Sequence, residues 1–108
     1  MKKQIINIRL YQDEVGVKGA LFSIQAVEWS NSYGARIFID KRAKDSLWYS
    51  TEFSSGMNLT HAKTRTEMLM RIQVVLDQPD KLIEFHRQVE VNIQKYGYAN
   101  KNELCGVQ

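Results

Sequence analysis

The sequence predicts an α+β fold, with a four-stranded antiparallel sheet in the N-terminal half covered on one face by two C-terminal helices, order ββββαα. Three observations carry this reading. Before residue 54, apolar and polar residues alternate in four runs with the period of two that belongs to strands. After the break Ser54-Ser55-Gly56-Met57-Asn58 the apolar spacing changes to about 3.6, the period of a helix. Seven of the eleven aromatic residues fall between Leu21 and Phe53, so the bulkiest side chains belong to the sheet.

The first strand is Gln4 to Tyr11, where Ile6, Ile8 and Leu10 alternate with Asn7, Arg9 and Tyr11. A polar connection, Gln12 to Lys18, leads through Gly19 into a second strand, Leu21 to Trp29, with Phe22, Ile24 and Ala26 on one side. Ser30 to Gly34 has the length and composition of a hairpin loop. The third strand, Ala35 to Asp40, sets Ala35, Ile37 and Ile39 against Arg36, Phe38 and Asp40. A second loop, Lys41 to Ser46, precedes Leu47 to Phe53, in which Leu47, Tyr49 and Phe53 read as inner and Trp48, Ser50 and Glu52 as outer.

The first helix covers roughly residues 60 to 77, on the spacing of Met68, Leu69, Ile72, Val75 and Leu76. Either Thr60 or Thr64 caps it, the second within a capping box, Thr64-Arg65-Thr66-Glu67. Pro79, tolerated at a first helical position, opens the second helix with Asp77 as its cap. Its stripe is Leu82, Phe85, Val89, Ile93 and Tyr96, and Gly97 is placed to stop it. Residues 1–97 thus read as a single domain and 98–108 as a flexible tail.

Composition narrows the function. The hydrophobic content of 44% suits a globular domain. Basic exceed acidic residues by 8 to 6 in residues 1–54 and by 7 to 6 in residues 55–108, so no arm or tail concentrates positive charge as a duplex-DNA binder would. A single cysteine, Cys105, permits no intramolecular disulfide, and no signal segment or membrane span is legible, which together point to the cytoplasm and away from a membrane. His61 and His86 are 25 residues apart, without zinc-site spacing. No phosphate-cradling glycine loop occurs, and nothing would place a base beside Cys105. No cofactor, metal or enzymatic activity is expected.

The functional candidates are surfaces. Two helices cover one sheet face, which leaves Arg9, Tyr11, Val27, Trp29, Arg36, Phe38 and Trp48 on the other, residue types that dominate binding hot spots. A second candidate is the basic hairpin, Lys41, Arg42 and Lys44, suited to a phosphate or an acidic surface. Met68 and Met70 read as core fillers. The reading is a small non-enzymatic module that docks onto a protein target and inhibits or modulates it, in the manner of phage and mobile-element anti-defence inhibitors such as anti-CRISPR proteins. A homodimer would also cover such a face. The alternative is a single-stranded nucleic-acid binder that stacks bases on the aromatic face. In element order alone the chain is loosely similar to the whirly-type single-strand binders, a resemblance that implies such stacking.

Overall fold

A computed structural model of the protein describes residues 2–9 and 19–101. Leu10, Tyr11 and the connection through Lys18 lie outside the described residues, as does Cys105. The elements are β1 (Lys3–Arg9), β2 (Leu21–Trp29), β3 (Ile37–Lys41), β4 (Trp48–Glu52), β5 (Asn58–Ala62), α1 (Arg65–Leu76) and α2 (Pro79–Tyr96). The five strands form one antiparallel meander in chain order, with β1 and β5 at the edges. The α+β order is as expected, with one strand more.

The extra strand occupies the segment in which Thr60 was a possible helix cap. Ser50 explains the difference: its Oγ accepts from the Thr60 N–H at 3.2 Å and donates to the Thr60 carbonyl at 3.0 Å, so Thr60 is tied into a ladder with β4. The helix begins instead at the capping box, where the Thr64 Oγ1 accepts from the Glu67 N–H at 3.1 Å, an arrangement worth about 1 kcal/mol. Asp77 does not cap α2. Its N–H bonds back to the Gln73 carbonyl at 2.9 Å as the C-cap of α1, and Gln78 holds the N-cap position of α2 ahead of Pro79. Gly97 stops α2 at φ +86, its N–H on the Ile93 carbonyl.

Residues directly opposite in paired strands share a face, so the register settles how the sheet is used. Ile37 and Ile39 lie on the helix side, as expected. So do Trp29 and Val27, opposite Ile37 and Ile39, and Trp48, opposite Ala62. With Met68, Ile72 and Leu76 of α1 and Phe85 of α2 they make the larger core. The other face has a core of its own: Ile6, Ile8 and Ala26 pack with Phe38 and Phe53. β2 pairs with β1 through residues 21–27 but with β3 only through 27–29. Its first part is therefore free to carry β1 over that face, where the Arg9 N–H reaches the Gly56 carbonyl at 2.9 Å. The helices cover one face, as expected, but the other face of β3 and β4, expected to be open, is covered by the β1–β2 arm, while much of β1 and β2 stays exposed.

Of the segment after α2, expected to be a loose tail, residues 98–101 are described, and Ala99 and Asn100 are part of this closure. Asn100 accepts from the Asn7 N–H at 2.8 Å and donates to the Asn7 and Phe53 carbonyls at 2.7 and 2.8 Å. Ala99 is buried, its N–H on the Ser54 carbonyl. An edge strand has backbone groups to satisfy, and a few aperiodic polar residues satisfy them without leaving a pattern in the sequence. Gly56 shows how tight the junction is. At φ +72, a Cβ there would lie 2.7 Å from the Ala99 Cβ and 2.9 Å from the Arg9 nitrogen. Gly56→Ala is expected to cost about 1–3 kcal/mol through strain and the shift it forces; an unchanged midpoint in urea would show that the junction is loose.

Candidate functional site

The hot-spot residues expected on one open face are distributed over three environments. Trp29 and Trp48 are half-buried against the helix-side core, Trp29 tilted on Tyr33 with ring centroids 6.2 Å apart. Phe38 is fully buried on the opposite side, its ring stacked on Phe53 at 5.3 Å. Arg36 stays with Phe38 as expected, but as a cover: its guanidinium lies 4.2 Å from the Phe53 ring and 5.4 Å from the Phe38 ring, and makes two hydrogen bonds to Glu28 at 2.9 and 3.0 Å. That bidentate bond holds the Glu28 carboxyl below its ordinary range and pushes the Arg36 guanidinium up. Tyr11 lies outside the described residues. The two tryptophans and Phe38 therefore present no common surface for a partner or for stacked bases.

Arg9 is buried, and its role is to join segments. Its guanidinium donates to the Gly19 carbonyl at 2.6 Å, comes within 3.5 Å of the Gly97 carbonyl at the end of α2, and stacks over the Tyr96 ring at 5.7 Å. A cation at a helix C-terminus is favoured by the helix dipole. The position is thus explained by structure.

In the basic hairpin, Lys41 and Lys44 are exposed, whereas Arg42 is engaged. Its Nε donates to Asp40 Oδ2 at 3.2 Å, and its guanidinium lies 3.9 Å from the centre of the Tyr49 ring. Tyr49 is itself buried, stacks on His61 at 5.2 Å and donates its hydroxyl to Asp45. That bond holds the exposed Asp45 carboxyl down and pushes the Tyr49 hydroxyl up. Asp40 is buried, and loss of water raises its carboxyl despite Arg42. No group of three His, Cys, Asp or Glu side chains among the described residues converges on a metal-sized site.

A large apolar feature lies elsewhere, in an open groove of about 880 Å³ between β5, α1 and α2. Its walls include Met57 and Leu59, Ile72, Val75 and Leu76 of α1, and Phe85 of α2. Met70 and Val74, which also line it, are 58% and 65% exposed, and Val75 is 46% exposed. Met68 is buried as a core filler should be, but Met70 is not. The signal was present in the sequence: seven of the twelve residues of α1 are Met, Leu, Ile or Val, too many for one stripe. A helix apolar around most of its circumference is ordinarily covered on both sides.

Charges rim the groove. Glu67 is paired with Arg71 at 3.6 Å and Glu84 with Arg87. Lys81, also on the rim, makes no salt bridge among the described residues.

The chain matches no family model, no curated protein and no solved structure. Among the described residues no helix is long and apolar enough to cross a membrane.

Proposed function

We infer that the protein is a non-enzymatic protein-binding module, and that its docking surface is the groove between β5, α1 and α2. The observation that carries this reading is the exposure of Met70, Val74 and Val75 beside the apolar lining of that groove. The occupant is an amphipathic helix of the partner, which lays large apolar side chains along the groove in the helix-in-groove mode. Lys81, which makes no salt bridge among the described residues, is the rim group open to an acidic residue that flanks that apolar stripe. Methionines at the contact suit such a role, since the thioether side chain adapts to an incoming surface. Binding masks the partner's helix, and the module modulates its target by occupying that surface.

The test uses the double variant Met70→Asp with Val74→Asp. Both side chains are exposed, so stability is expected to stay within about 1 kcal/mol of the parent. The protein captured by the parent from a native-host lysate is purified, and its affinity is measured against the parent, the double variant and Ile83→Asp, an exposed position outside the groove. Affinity is expected to fall by about 2 kcal/mol or more for the double variant alone, and a peptide of the partner's helix is expected to compete. If the double variant binds as the parent does, or if Ile83→Asp is equally damaging, the groove is not the docking surface.

A further inference from the structure

A second site lies away from the groove, where the sheet opens. β2 pairs with β3 only through Val27 to Trp29, so Asp40 and Lys41 at the far end of β3 have no neighbour in β2. A pocket of about 460 Å³ occupies the opening, lined among others by Lys3 of β1, Ile24 and Gln25 of β2, Asp40, Lys41 and Lys44. Lys3 is 38 residues from Lys41 in sequence, and only the fold brings it to the basic hairpin.

The charge at this pocket is concentrated. Arg42, which also lines it, is bound to Asp40, and the two compensate each other. Lys3, Lys41 and Lys44 make no salt bridge among the described residues, which leaves three positive charges, as large an excess as the net charge of +3 of the whole chain. The loop that carries two of them is set in advance: the Arg42 N–H bonds the Leu47 carbonyl at 2.9 Å, the Ser46 N–H bonds the Arg42 carbonyl at 2.8 Å, and Asp45 accepts from the Leu47 N–H at 3.0 Å. Lysines bind phosphate as point charges.

The pocket also offers features that a bare anion would not use. Asp40 is 8% exposed, and its Oδ1 has no hydrogen-bond partner among the described residues. A buried acceptor without a donor is a group that a ligand can satisfy. The Gln25 amide adds a donor and an acceptor, and Ile24 supplies an apolar wall. The volume lies within the usual range of small-ligand pockets. We propose that this pocket binds a nucleotide, with its phosphate on Lys3, Lys41 and Lys44 and an amino or hydroxyl donor of its base or sugar turned toward Asp40. The nucleotide is either free or part of a single strand. The proposal does not depend on the groove.

The experiment titrates isotope-labelled protein with adenosine 5′-monophosphate, inorganic phosphate and oligothymidylates of increasing length, and follows backbone amides by NMR. Shifts are expected at Lys3, Gln25 and residues 40–44, with the nucleotide binding more tightly than inorganic phosphate. Lys3→Glu combined with Lys44→Glu is expected to weaken nucleotide binding at least roughly tenfold, whereas Lys63→Glu with Lys95→Glu, of equal net charge but outside the pocket, is expected to leave it unchanged. One-site saturation by the mononucleotide identifies a free nucleotide as the ligand. Affinity that grows with oligomer length and falls with salt with a logarithmic slope of about −2 identifies a strand. The proposal is overturned if no amide of the pocket moves at millimolar nucleotide, if inorganic phosphate binds as tightly as the nucleotide, or if both charge-reversed pairs weaken binding alike.

Discussion

Phe38→Ala is expected to destabilise the protein by about 3–5 kcal/mol. In a sheet covered on one side only the residue would face solvent, and the change would cost little. Here its relative exposure is 0%, its ring stacks on Phe53 at 5.3 Å, and Ile6, Ile8 and Ala26 close over it from the β1–β2 arm. Truncation leaves a void between two layers joined by the backbone hydrogen bond from Arg9 to Gly56 and by the Asn100 side-chain amide, which donates to the Asn7 and Phe53 carbonyls, and this limits how far they can collapse. Since a domain of this size has about 5–15 kcal/mol of stability in all, the alanine variant is best measured by urea denaturation at low temperature, beside the milder Phe38→Leu. A loss below about 1 kcal/mol for Phe38→Ala would mean that the face is open, and the second core would have to be abandoned.

Ile37→Ala, one residue earlier, is expected to cost about 2–5 kcal/mol for a separate reason. Ile37 is also at 0% exposure, but it points the other way, into the layer formed by Met68, Ile72, Leu76 and Phe85. The pair of results is more informative than either alone. Consecutive strand residues point to opposite faces, so a sheet with one covered face pays heavily for only one of two neighbours. Large losses at both Ile37 and Phe38, with the slope of stability against urea unchanged, require cover on both sides. A small loss at Ile37 would instead misplace the helices.

Much of the architecture was legible because it depends on local spacing. Strand and helix segments follow from the period of apolar residues, the cap at Thr64 from a hydroxyl followed three residues later by Glu67, and the end of α2 from Gly97. The assignment of Ile37 and Ile39 to the helix side also held. The phase of β4 did not: Leu47, Tyr49 and Phe53 were expected to meet the helices, whereas the register puts Trp48, Ser50 and Glu52 on the side of Ile37 and Ile39. Ser50 and Glu52 are buried there, with the Glu52 carboxylate accepting from the Ser54 and Ser55 N–H groups and the Ser55 hydroxyl. A polar residue such as Glu52, whose hydrogen bonds are made within its own turn, or Ser50, which bonds the backbone of the next strand, looks like a surface residue in a linear pattern.

The candidate sites divide along the same line. The basic hairpin and the surplus of apolar residues in α1 could be read from neighbouring positions. The addition of Lys3 to that hairpin could not, nor could the withdrawal of Phe38, Trp29 and Trp48 from any common surface. Alternation within a strand determines which residues share a face, because that is a property of the backbone geometry of a few consecutive residues. Which face meets the helices, and whether the other is open, depends on how β2 divides its pairing between β1 and β3 and on where β1 comes to rest. Those are contacts between residues far apart in the chain, selected by the total area and hydrogen bonding of the closed structure, and only the tertiary fold decides them.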